Sequence, residues 1–222
     1  MLQPAQLVRE SLGAQVANHL RDAIVRGELA GGQRLVETEL ADMLRVSRGP
    51  VRDGLRILAT EGLVAKRGQG FTVLSLDESD IEELYTLREA IETLALGITM
   101  GLPAAPDLTD LHEAIATMRV AADAHDVAAF TGADAEFHTI LCRLSGHRRA
   151  AAVWQQIAPT AVALLRVTIM RDSDLHATAA KHAHLLDLVA ARDPGPALAE
   201  LHRHLRGSCD KMLRAWQDSQ SR

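Results

Sequence analysis

The run VETELADMLRVSRGPVRDGLRILATEGLV, from Val36 to Val64, limits the possible folds of this chain more than any other stretch. Its first part sets Leu40, Met43 and Leu44 on one side of a short helix over 36–44, and a turn of about four residues follows. Ser47 stands where a second helix needs an N-cap, with a hydroxyl able to accept from a free backbone N–H, and Pro50 is early enough to be tolerated. That helix is expected to run to about Thr60. At about 100° per residue, Arg48, Arg52 and Arg56 form a stripe about 80° wide, beside an apolar stripe of Val51, Leu55 and Leu58. A lone row of arginines is ordinarily a solvated helix face. Here the row comes with a turn and a cap, which is the layout of a helix-turn-helix.

The flanks complete a unit over residues 1–75. Segment 11–26 places Leu12, Val16, Leu20, Ala23 and Ile24 at helical spacing before Gly27 ends it, and GELAGGQRL reads as a turn. KRGQGFTVLSL is β-prone with glycines at its tip, which predicts a small β-hairpin after the second helix. The arginine fork can bond guanine O6 and N7 or phosphate oxygens. Lys66, Arg67 and Gly68 at the hairpin tip can reach an adjacent minor groove.

Composition separates the rest of the chain from this unit. Residues 1–75 hold 10 Lys+Arg and 8 Asp+Glu, whereas 76–222 hold 14 and 21, so a small basic patch sits on a protein of net charge −5. With 47% hydrophobic residues, disorder is excluded as the general state. SLDESD at 75–80 is a polar break, and no strand pattern follows it. Helices are predicted near 78–100, 107–124, 126–145, 148–171, 174–192 and 196–217, giving residues 76–222 as an all-α bundle of about six helices. The fold class expected is therefore mainly α, a winged helix-turn-helix followed by a helical bundle. Cys142 and Cys209 form no CxxC pair, and neither a signal peptide nor a stretch able to span a bilayer is visible, so a cytoplasmic protein without a membrane partner is expected.

Nine of the ten histidines lie at or beyond His112. Asp134 and His138 are four apart on one predicted helix, within about 40° of each other, so two ligands could converge there. In KHAHLLDL, His182 shares a face with Leu185, Leu186 and Val189, which favours it over His184. In ELHRHL the choice stays open between His202 and His204, with His202 nearer the line of Leu198, Leu205 and Cys209. One Asp and three imidazoles inside a bundle suit a divalent metal such as zinc, nickel or manganese.

The run from GELAGGQRL to EGLV resembles the winged helix-turn-helix of the GntR family of bacterial transcription regulators. The resemblance implies that Arg48 and Arg52 contact operator DNA, that Arg34 and Thr38 lie near phosphates, and that Gly68 lies at the wing tip; Arg56 joins them from its place in the stripe. Three positions depart from the pattern: Arg45 replaces a turn glycine, Gly49 replaces a threonine, and Gly54 sits mid-helix at a cost of about 1 kcal/mol relative to Ala. The helical part, through YTLREAIE, DAEFHTILCRLSG, KHAHLL and ALAELHRHL, resembles the FCD effector-binding domain of the FadR subfamily. That resemblance implies Asp134, His138, His182 and His204 as metal ligands, zinc foremost, and Arg88 as a partner of an effector carboxylate; Arg88 can equally pair with Glu92 at i+4. His147 stands where an asparagine is common.

The function expected is a ligand-responsive regulator: a homodimer on palindromic double-stranded operator DNA, a repressor released by a small organic acid. Its rivals are a metal-dependent enzyme fused to a DNA-binding domain, and a regulator whose metal is purely structural.

Overall fold

The computed structural model describes residues 11–68, 70–74, 77–169 and 174–220. The chain divides into two compact units, Met1–Leu76 and Asp77–Arg222.

In the first unit, α1 (Leu12–Val25) is capped by Ser11, whose hydroxyl accepts from the Ala14 N–H at 3.1 Å. Then come β1 (Arg34–Leu35), α2 (Glu37–Leu44), α3 (Arg48–Thr60), β2 (Val64–Arg67) and β3 (Gly70–Val73). The sheet is antiparallel in the order β1-β3-β2, with Arg34 opposite Thr72 and Lys66 opposite Phe71. The sequence predicts only the β2–β3 hairpin and a turn before α2. The third strand is two residues long, too short to show alternation, and it is fixed by burial of Leu35 in a core with Val16, Leu20, Leu55, Leu58 and Phe71.

The turn between α2 and α3 differs from expectation in one detail. Ser47 is the N-cap residue of α3, but its hydroxyl makes no capping hydrogen bond. Arg45 takes the left-handed conformation at φ 53, which a glycine would adopt freely and which costs a larger residue about 1 kcal/mol. Gly54 is a requirement of packing. A Cβ there would lie 2.9 Å from Val16 Cγ1, 3.0 Å from the Gly13 carbonyl oxygen and 3.1 Å from the Ala17 nitrogen, so α1 and α3 meet backbone to backbone. Gly54→Ala is expected to destabilise this unit by about 1–3 kcal/mol despite alanine's better helix propensity, because two of the three obstructing atoms are backbone. Thermal unfolding checks this; an equal or higher Tm contradicts the close approach.

A second tie between these helices is the buried pair of Arg21 on α1 and Glu61, the C-cap of α3. Arg21 Nη2 lies 2.6 Å from Glu61 Oε1 and Nε 2.8 Å from Oε2, a two-pronged geometry that fixes the angle at which α3 is held.

The second unit contains α4 (Glu78–Gly101), α5 (Thr109–Asp123), α6 (Val127–Leu144), α7 (Arg148–Ile169), α8 (Leu175–Ala190) and α9 (Pro194–Gln220), and no strand among the described residues. The predicted end of the fourth of these helices, near 171, lies outside the described residues. Asp77 and Asp80 form a reciprocal capping box at the start of α4, and Asp126 and Asp174 cap α6 and α8. His147 accepts from the Ala150 N–H at 3.1 Å, so it satisfies a free donor in the first turn of α7, a role an asparagine side chain would also fill. Phe130, Phe137 and Leu141 of α6 sit in the core with Leu111, Met118, Leu185 and Leu201. The central α6 packs against α4, α5 and α7, which carries its polar side chains Asp134 and His138 into the interior. No helix among the described residues is long and apolar enough to cross a membrane.

Candidate nucleic-acid interface and candidate metal centre

The first unit presents the arginine row of α3 outward. Arg48, Arg52 and Arg56 have side chains 62%, 45% and 68% exposed along α3, because Val51, Leu55 and Leu58 take the buried face. Thr38 is exposed in the first turn of α2, and Arg34 is exposed on β1 with its guanidinium beside Gly70. Gly68, at φ 58, sits at the exposed turn of the β2–β3 wing beside exposed Lys66 and Arg67. Sequence spacing gave no sign of Glu37. This residue of α2 reaches across to α3, where its Oε2 accepts from both Nε and Nη2 of Arg52 at 3.2 Å.

The second unit gathers the predicted ligands. Asp134 and His138 come from α6, His182 from α8 and His204 from α9, and ligand atoms of the three histidines lie within 4.8 Å of one another. All four side chains are buried. His202 faces outward and pairs with Glu89 of α4, and His184 is exposed. Periodicity left this pair undecided, with His202 the nearer of the two to the line of Leu198, Leu205 and Cys209. Buried Ala197 and Leu201 move the centre of the inward face toward His204, and alanine contributes little to an apolar pattern.

The imidazoles are oriented from behind. His138 Nδ1 lies 2.6 Å from Glu92 Oε2, and His182 Nδ1 donates to the Thr178 carbonyl at 2.9 Å. Both Nε2 atoms and His204 Nδ1 are buried without a hydrogen-bond partner among the described residues. His182 Nε2 lies 3.1 Å from Asp134 Oδ1. Buried polar atoms are almost always paired, so three orphaned imidazole nitrogens beside a carboxylate form a donor set that fits a divalent cation. Partners on the far ring nitrogen hold the tautomers of His138 and His182 and raise their basicity. On that ground Glu92→Gln is expected to weaken metal binding by about 10–100-fold while the helical spectrum is unchanged, read by competition with a chromophoric chelator.

Arg88 lies behind this cluster. Its Nε donates to Glu92 Oε1 at 2.6 Å, so the i+4 pair is formed, and its guanidinium carbon lies 5.2 Å from the Trp154 ring centroid and 5.8 Å from that of Tyr85. The Tyr85 hydroxyl is buried with no partner, and burial pushes its pKa up to about 12. Neither aromatic wall was legible from spacing. Burial also pushes Cys142 up to about 12, which leaves it an inert thiol at neutral pH.

Charge states follow from the same contacts. Burial alone would raise the carboxyls of Asp134 and Glu92, but His182 beside the first, His138 beside the second and Arg88 near both hold them below their usual range. Burial lowers His138 and His204 below their ordinary 6.5, reinforced by Arg88 for the first and by His182 for the second. Depressed imidazoles are lost as stabilising neutral groups once the unfolded chain takes up protons below pH 6.5, and depressed carboxylates once it does so below 4.5 and 3.8. Both act in one direction. The Tm of the metal-free protein is expected to fall steadily as pH drops from 7.5 to 4; a flat profile over that range contradicts these assignments.

Comparison with known proteins agrees with this two-part architecture. Residues 12–73 match the profile of the bacterial regulatory proteins of the gntR family, and residues 83–207 match the FCD domain. The gluconate operon transcriptional repressor of Bacillus subtilis (strain 168) is 27% identical over 226 residues, covering 99% of this chain and 93% of its own. An HTH-type transcriptional regulator from an unstable DNA locus of Streptomyces ambofaciens is 35% identical over 203 residues, covering 88% and 82%. Among solved structures, a GntR transcriptional regulator from Rhodococcus sp. RHA1 aligns with TM-score 0.68 at 28% identity, over 92% of this chain and 98% of its own. McbR/YncC of E. coli shares the fold at TM-score 0.73 and 21% identity, over 94% and 100%. The chain belongs to the GntR family of bacterial transcription regulators, in the FadR-type group that joins a winged helix-turn-helix to an FCD domain.

Proposed function

We propose that this regulator is a repressor that leaves its operator when a small carboxylic acid binds at the buried histidine cluster. Residues 1–75 bind double-stranded operator DNA and residues 76–222 bind the effector and form a homodimer. Arg48, Arg52 and Arg56 enter the major groove, Arg34 and Thr38 meet phosphates, and Gly68 lets the wing approach the backbone. Asp134, His138, His182 and His204 hold a divalent cation, zinc foremost, with nickel or manganese as alternatives. When bound, that cation supplies a Lewis-acidic anchor for an effector oxygen. Arg88 contributes its terminal nitrogens to the effector carboxylate while Nε stays on Glu92. Burial of these side chains keeps them from bulk water, which strengthens each of these contacts.

The observation that carries this reading is the set of orphaned nitrogens on His138, His182 and His204, buried beside Asp134 in a chain whose other unit exposes an arginine row. An effector acts only through unequal affinity for the DNA-competent and DNA-incompetent arrangements of the dimer. The cytoplasm is the compartment where such a protein meets its operator. Gel-shift titration with candidate acids, paired with chromatography of the acid afterwards, tests the proposal. Release of DNA with the acid recovered intact supports it. Turnover of the acid marks the enzyme reading, and metal without any response to acids marks a structural ion.

A further inference from the structure

Glu37 is a carboxylate on the surface where a duplex would bring its phosphates, and simple phosphate binding has no use for it. We propose that Glu37 is the positioning residue that gives the recognition helix its operator specificity, a reading that rests on the DNA-binding role proposed above. Glu37 is the first residue of α2, and its side chain is only 16% exposed although its partners are largely solvated. Its Oε2 lies 3.2 Å from both Nε and Nη2 of Arg52, its Oε1 3.3 Å from Nε, and Arg48 Nη2 lies 3.9 Å away. One edge of the Arg52 guanidinium is therefore held, which leaves the Nη1 end for a base or a phosphate. By contrast Arg56 makes a loose pair with Asp53, at 3.7 Å between two exposed side chains.

The consequence has two parts of opposite sign. An arginine reads guanine through a planar fork whose orientation must be right, and a free arginine on a helix samples many orientations. Holding Arg52 raises affinity for the correct sequence. The same negative charge repels phosphates, which lowers affinity for any other sequence. Glu37 thus converts part of a general electrostatic attraction into discrimination.

An acid in the first turn also favours its own helix, so the test must separate that role from positioning. The probes are a duplex enriched from a random pool by the full-length protein and a scrambled duplex of equal length, both read by fluorescence anisotropy at fixed salt. For Glu37→Ala the ratio of the two affinities is expected to fall about tenfold, with scrambled binding equal to or tighter than wild type. Glu37→Gln, which preserves volume and one acceptor, is expected to lie between. In an Arg52→Ala background, Glu37→Ala is expected to cause no further loss of discrimination, since its effect passes through Arg52. An unchanged ratio overturns the proposal, as does equal weakening on both duplexes, or the same fold loss with and without Arg52. If the wild-type chain enriches no duplex at all, the underlying DNA reading fails, a result distinct from these three.

Discussion

Arg52→Ala lowers affinity for the operator by roughly 10–100-fold at constant salt, the effect of losing one bidentate base contact worth about 1–3 kcal/mol. The chain stays folded, because Arg52 is nearly half exposed and its partner Glu37 can be solvated once the guanidinium is gone. Binding to scrambled DNA weakens much less, by the share of one phosphate charge. Anisotropy titrations on both duplexes measure the two effects together. Equal affinity of mutant and wild type for the operator at matched salt removes Arg52 from the recognition surface, and the assignment of α3 with it.

His138→Ala has the largest effect expected in the second unit. The side chain is fully buried, lies between Glu92 and the other two imidazoles, and offers Nε2 to the centre of the cluster. Losing it weakens metal binding at least as much as the 10–100-fold that follows loss of an orienting partner, and it strands the Glu92 carboxylate with Arg88 alone. Binding of a ligand to the folded state adds stability that grows with the ratio of its concentration to Kd, about 2.7 kcal/mol at a hundredfold excess. The wild type is therefore expected to show a Tm that rises with added zinc and falls on chelation, and the variant a Tm insensitive to both. Equal metal content in the two purified proteins places the ion elsewhere.

Most helices were legible because each buries a wide apolar stripe whose 3.6-residue period survives in the sequence; the end of α7 apart, α4 through α9 begin and end within a few residues of expectation. What escaped was set by partners distant in sequence. Gly54 looks like a cost within α3, and only the approach of Gly13 and Val16 on α1 shows why a side chain is excluded. The two-residue strand β1 exists because β3 is there to pair with it. At the buried histidine cluster, i,i+4 spacing predicts that Asp134 and His138 share a face, and the apolar face of α8 turns His182 inward. His202 and His204 on α9 could not be separated by period, since Leu198, Leu205 and Cys209 draw the apolar line toward His202 although His204 is the buried one. Glu92 orients His138 across 46 residues of chain and Glu37 holds Arg52 across 15, and no periodicity encodes such pairs.

In the proposed regulator, occupation of the imidazole cluster changes how tightly the arginine row holds DNA. Operator affinity of the full-length, metal-loaded chain, measured by anisotropy across a panel of small carboxylic acids, tests it most directly when wild type and His138→Ala are run side by side. An acid that weakens wild-type binding by at least about fivefold, is recovered unchanged and leaves the variant unmoved is the predicted result. An acid that raises the wild-type Tm yet leaves operator affinity constant, or shifts both proteins equally, contradicts the coupling.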